Sequence, residues 1–156
     1  MELNAGTRQF IEKMGLSFEQ LGATRTAGRM TGLLLVADRP LSLTEMADLL
    51  HLSKASISTN ARMIEQMGMI QRVSNPGDRR DFYEILPGTF ELLLERRIRA
   101  IGAFVHLTEE GLEAIEPDNR TARERLEVMK QFYEFFATEL EVALQHWRDR
   151  SGPQRK

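Results

Sequence analysis

Apolar residues recur along this chain at helical spacing over most of its length, interrupted once by a short stretch of strand character. Phe10, Met14, Phe18 and Leu21 follow at intervals of four, four and three, which predicts a helix over Thr7 to Leu21 with one face inward. Gly15 is a weak point inside it. A second helix is predicted over Thr26 to Ala37, ending in Leu33-Leu34-Leu35-Val36-Ala37 and stopping before Asp38-Arg39-Pro40. Gly28 and Gly32 stand four apart in it, a spacing that lets two helices approach closely.

The next stretch is densely punctuated. Pro40 blocks helix continuation and leaves Leu41 extended. Ser42-Leu43-Thr44-Glu45 has the form of a capping box, followed by a short helix with Leu43, Met46, Ala47 and Leu50 inward. Ser53 is a second N-cap, and the helix from Lys54 to Met67 places Ile57, Ala61 and Ile64 on one face before Gly68 closes it. Two strands, Met69 to Ser74 and Asp81 to Leu86, then flank the turn-forming Asn75-Pro76-Gly77-Asp78-Arg79-Arg80. Two short helices joined by a tight turn and followed by a basic-tipped hairpin make a winged helix-turn-helix. Pro87-Gly88 ends it, and helix is predicted again over Thr89 to Val105 and, after a cap at Thr108, over Glu109 to Ile115.

The last helix, Thr121 to Asp149, carries Leu126, Met129, Tyr133, Phe136, Leu140, Ala143 and Trp147 at alternating spacings of three and four. Such a heptad seam keeps facing a partner helix, here read as that of a second subunit, against the alternative of an intrachain core helix. Val128, Phe132, Phe135 and Val142 form a second apolar stripe, so neighbours are expected on two sides. The fold class is therefore mainly α with a small β-wing. The expected organisation is 1–25 as an N-terminal dimerisation or support helix, 26–87 as the winged helix-turn-helix, 88–150 as C-terminal dimerisation helices and 151–156 as a flexible tail.

The chain of 156 residues has a net charge of −2, but the segment from Ser53 to Arg80 holds five basic residues and two acidic ones and is net +3. Phosphate binding depends on such local patches and not on the average. In a helix-turn-helix the second helix enters the major groove with its N-terminal part near base edges. With Ile57, Ala61 and Ile64 inward, the outer side carries Ser53, Lys54, Ser56, Ser58, Thr59 and Arg62. Arg62 is the first candidate for a base contact, because a guanidinium bonds both O6 and N7 of guanine. Asn60 is the second, although it lies beside the buried stripe. Arg79 and Arg80 sit where a wing tip meets the minor groove or its phosphates, with Asp78 expected to orient the wing.

Taken as an ordered set, Leu52-Ser53-Lys54-Ala55-Ser56-Ile57-Ser58, Gly68-Met69-Ile70 and Asp78-Arg79-Arg80 resemble the MarR type of winged-helix regulator. Gly28-Arg29-Met30-Thr31-Gly32-Leu33-Leu34 with Arg39-Pro40-Leu41-Ser42-Leu43 resembles the GbsR branch of that type more closely still. The resemblance implies a homodimer built from N- and C-terminal helices, a palindromic DNA site, and in many members a small-molecule effector held between the dimer helices and the DNA lobe. It also aligns Asp78 and Arg80 with the acidic-x-basic pair of the wing.

Other chemistries find little support. The chain has no cysteine, no Gly-rich phosphate loop, no GxSxG elbow and no HExxH, so neither an enzyme nor a bound cofactor is expected. His51, His106 and His146 lack metal-ligand spacing. No apolar run reaches the about 20 residues needed to span a bilayer, and no export signal is evident, which makes the cytoplasm the expected compartment. The expected function is a sequence-specific, double-stranded DNA-binding transcriptional regulator acting as a repressor. A winged-helix protein-protein adaptor is the alternative, disfavoured because an adaptor needs no basic cluster.

Overall fold

The structure, a computed structural model, describes residues 2–151. The tail expected over 151–156 therefore lies, from 152 onward, outside the described residues. The chain divides into two compact units, Met1–Thr89 and Phe90–Lys156.

In the first unit, α1 (Ala5–Gln20) starts two residues before the predicted Thr7, because the side chain of Asn4 accepts from the Thr7 amide at 2.8 Å and caps the helix. Thr24 caps α2 (Arg25–Val36) in the same way. These two helices pack at close range around Gly15 and Gly28, where a Cβ on Gly28 would stand 2.5 Å from the carbonyl oxygen of Met14. Arg29 reinforces the corner: it pairs with Glu12 of α1 at 2.7 Å and donates to the carbonyl of Leu50 at 2.9 Å.

The predicted capping box is present in α3 (Leu43–Leu50), with Ser42 and Glu45 each serving the other's backbone amide. His51 ends that helix in the left-handed region at φ 52°. Recognition-type helix α4 (Lys54–Gln66) begins at its Ser53 cap and stops before Gly68, whose φ is 71°. The sheet has one strand more than the two predicted. Leu41–Ser42 forms β1 and pairs antiparallel with β3 (Asp81–Ile85), which also pairs with β2 (Ile70–Ser74), in the order β1-β3-β2. Ile11, Met30, Leu33, Leu41, Met46, Leu50, Ile57, Ile64 and Ile70 are fully buried and join these elements in one core.

The second unit is a helical hairpin of α5 (Thr89–Ala114) and α6 (Arg120–Ser151). The break predicted at Thr108 is absent: α5 runs straight through it, and Thr108 is buried with its hydroxyl donating to the carbonyl of Val105 at 2.6 Å. A threonine satisfied by the preceding turn is tolerated inside a helix, so it did not act as a cap. The helices are antiparallel. Phe104 stacks on Tyr133 with centroids 5.2 Å apart, Lys130 meets Glu109 at 2.8 Å, and the indole N–H of Trp147 donates to Glu91 at 3.0 Å.

Candidate nucleic-acid interface

The outward side of α4 is built by its inward side. Ile57, Asn60, Ala61 and Ile64 are buried, which leaves Lys54, Ala55, Thr59 and Arg62 exposed and Ser56 and Ser58 half-buried. The hydroxyl of Ser53 accepts from the Ser56 amide at 3.2 Å, so it starts the helix as well as bordering its outer face. Arg62 lies back along its own helix, its Nε donating to the Ser58 carbonyl at 3.4 Å.

Asn60 is the one proposed base reader that the fold turns inward. Its oxygen accepts from the hydroxyl of Thr24, and its Nδ2 donates to the Ser56 carbonyl at 2.9 Å. A buried amide with a partner for both its oxygen and its nitrogen is a tie between α4 and the start of α2, and its burial withholds it from a base. Its place beside the buried stripe was legible in the sequence, but its partner was not, since Thr24 is 36 residues away.

At the wing, a turn closed by Asp78 N–H donating to Asn75 C=O at 3.0 Å presents three charged side chains in succession. Asp78 and Arg80 form a pair at 2.6 Å, and the Arg80 backbone amide also donates to Asp78 at 3.0 Å. The Arg80 guanidinium holds the Asp78 carboxyl down at about 2 and lies over the Phe82 ring at 5.2 Å. Its direction is thus set on two sides. Arg79 between them is exposed, and neither Arg79 nor Lys54 forms an ion pair among the described residues.

Arg72 belongs to the basic segment by sequence but is spent internally. It pairs with Asp81 at 3.3 Å and Glu65 at 3.4 Å, and lies over the Tyr83 ring at 5.6 Å. Glu65 sits on α4 and the other two on β3, so Arg72 clamps the wing to the helix. The basic side chains left outward in this segment are Lys54, Arg62 and Arg79, with Arg80 held by Asp78.

The predicted dimer seam divides in the second unit. Leu126, Met129, Tyr133 and Leu140 are half-buried; Leu126 packs beside Gly111 and Tyr133 on Phe104, both of α5. Leu126 and Tyr133 thus pack on α5 within the chain. Phe136, Ala143 and Trp147 are exposed. The second stripe is the open one: Val128 is 67% exposed, Phe132 58%, Phe135 63% and Val142 45%, with Phe104 and Leu107 of α5 also exposed.

A buried helix-turn-helix core with an outward polar helix and a basic wing defines a winged-helix DNA-binding regulator. Comparison with known proteins agrees. Residues 18–81 match the model of the MarR family, and residues 88–150 match that of the MmpR5-like MarR family transcriptional regulators. The chain is 37% identical over 145 residues to the HTH-type transcriptional regulator MmpR5 of Mycobacterium tuberculosis (strain ATCC 25618 / H37Rv), spanning 92% of this chain and 88% of that one. A crystal structure described as a transcriptional regulator superposes with a TM-score of 0.77 at 36% identity, covering 91% of this chain and 97% of the other. The HTH-type transcriptional repressor OpcR of Bacillus subtilis (strain 168) is 27% identical over 75 residues, 48% of this chain and 40% of that protein. The chain belongs to the MarR family of transcriptional regulators. That family acts by binding DNA, not by catalysis. Among the described residues no helix is long and apolar enough to cross a membrane, and no group of three or more His, Cys, Asp or Glu is placed to hold a metal ion.

Proposed function

We propose that this protein is a repressor that binds a palindromic double-stranded DNA site as a homodimer, with residues 26–87 reading DNA and residues 1–25 and 88–150 holding the dimer. The observation that carries the reading is the outward face of α4 and the wing, where Lys54, Arg62 and Arg79 stand without carboxylate partners among the described residues, beside a fixed Arg80. Each α4 lies in a major groove, with successive reading helices about 34–36 Å apart. Arg62 reads guanine. Ser53, Lys54, Ser56, Ser58 and Thr59 divide the remaining base and phosphate contacts, and Arg79 and Arg80 engage the minor groove or its edges.

The dimer contact in this reading uses the open stripe of Val128, Phe132, Phe135 and Val142 with Phe136 and Trp147, because Leu126 and Tyr133 already pack on α5 within the hairpin. An apolar stripe of this length on an exposed helix calls for a partner. Repression finds support in OpcR, whose name describes that protein as a repressor. The likeness of Gly28 to Leu43 to the GbsR branch, a cytoplasmic location, and an effector that changes the spacing of the two reading heads complete the proposal. Binding to genomic DNA fragments over a salt series tests it. A steep salt dependence and recovery of fragments with two-fold symmetry are expected. Salt-insensitive binding, or none at low salt, would overturn the DNA reading in favour of a protein-protein adaptor.

A further inference from the structure

With α4 in a major groove and the wing at the adjacent minor groove, one sugar–phosphate strand must cross between the two elements, since that strand is what separates the grooves. The fold leaves an open pocket of about 210 Å3 there, bordered by Ser42 and Thr44 of the α3 start, by Lys54 of α4, and by Arg79, Arg80 and Asp81 of the wing. In an acidic chain, this pocket is basic. Lys54 and Arg79 are unpaired among the described residues, while the neighbouring carboxylates are engaged: Asp81 by Arg72 at 3.3 Å, Asp78 by Arg80 at 2.6 Å and Glu45 by Arg39 at 2.7 Å. The Ser42 hydroxyl is taken by Glu45 at 2.7 Å. Thr44 is different: it is exposed, and its hydroxyl has no partner among the described residues.

We propose that this pocket seats one backbone phosphate of the bound DNA and that Thr44 is part of the DNA interface. The inference rests on the DNA reading above. The Thr44 hydroxyl donates to a phosphate oxygen, and Lys54 and Arg79 supply the charge from either side. A phosphate held between helix and wing carries no sequence information, but it sets how far the two readers stand apart on the duplex.

The test uses the full-length chain and a DNA fragment recovered from genomic selection, with Thr44→Glu, Thr44→Val, Lys54→Ala and Thr121→Glu variants. A carboxylate in the first turn of a helix is favourable, so Thr44→Glu should keep the melting temperature of the parent protein. It should weaken binding by about tenfold or more and reduce the salt slope by about 0.9, because the added carboxylate cancels one cationic phosphate contact. Thr44→Val, which removes only the uncharged hydroxyl, should show a smaller loss of affinity at an unchanged salt slope and decides the matter should Thr44→Glu melt early. Thr121→Glu adds the same charge at an exposed position of α6 and should change neither quantity. Parental affinity and slope in both Thr44 variants, with Lys54→Ala weakened, would overturn the phosphate seat and leave the DNA reading standing. Equal losses in Thr44→Glu and Thr121→Glu would overturn it too, as a mere effect of net charge. A parent protein without salt-dependent binding would remove the DNA reading itself.

Discussion

Replacing Gly28 by alanine adds one methyl group to α2, and on helix propensity alone that change stabilises by about 1 kcal/mol. The packing of α1 against α2 reverses the sign. A Cβ at position 28 would stand 2.5 Å from the Met14 carbonyl oxygen, 2.7 Å from Phe18 Cβ and 2.8 Å from Gly15 Cα. Two of these are backbone atoms and the third is fixed to one, so none can rotate away. Ordinary contact begins near 3.4 Å, so α1 must retreat by about 0.9 Å. Overpacking by a methylene costs about 1–3 kcal/mol, and contact with main chain belongs at the upper end. After the propensity gain, a net loss of about 1–2 kcal/mol is expected, at about 2–4 °C of melting temperature per kcal/mol. Gly102→Ala on α5 is the matched control, because nothing lies within 4 Å of its Cβ, and it should stabilise by up to about 1 kcal/mol. Thermal and urea unfolding followed by circular dichroism measure both. Stabilisation of the same size in the two variants would refute the close-packing argument.

Four further outcomes are expected. Arg62→Ala should cost about 1–3 kcal/mol on the selected site and less on random DNA in a titration, whereas equal losses on both would reassign it to phosphate. Asp78→Ala should weaken DNA binding in the same direction as Arg80→Ala, since the carboxylate holds that guanidinium in place; undiminished binding would mean the pair does not orient the wing. The Glu45 carboxyl resists burial, which pushes it up, but hydrogen bonds from Arg39 and Ser42 prevail and hold it at about 2 against an ordinary 4.5. Its contribution to stability is therefore complete above pH 4.5 and lost as pH falls toward 2. Acid titration of Glu45→Gln should show a shallower loss over that window, and an unchanged curve would contradict it. For the dimer, Phe135→Asp should give a helical monomer by light scattering, and a retained dimer would reject the open stripe as its contact.

Features set by local interactions were legible in the sequence. The Ser42–Glu45 capping box, the stop at Gly68 and the turn around Gly77 each depend on residues within a few positions of one another, and each lies where it was predicted. The inward face of α4 was legible for the same reason, because helical period alone places Ile57, Ala61 and Ile64 together. Local signals also misled. Thr108 has the residue type of a cap but sits buried in a continuous helix, since the carbonyl of its own preceding turn satisfies the hydroxyl. At the start of the chain, Asn4 set the helix boundary although apolar spacing pointed two residues later.

The winged helix and its outward polar face were thus written in the sequence, because caps, turns and period are properties of short segments. Tertiary structure decided which of those outward groups are available. Arg72 reads as part of the basic patch until Glu65 and Asp81 arrive beside it, and Asn60 reads as a base contact until Thr24 does. The same holds for α6. A helix with two apolar stripes does not itself specify which one stays within the chain, and the choice came from α5, whose Phe104 and Gly111 meet Tyr133 and Leu126 and leave Val128, Phe132 and Phe135 open. Charge cancellation and side-chain burial depend on partners distant in sequence, so they exist only once the chain has folded.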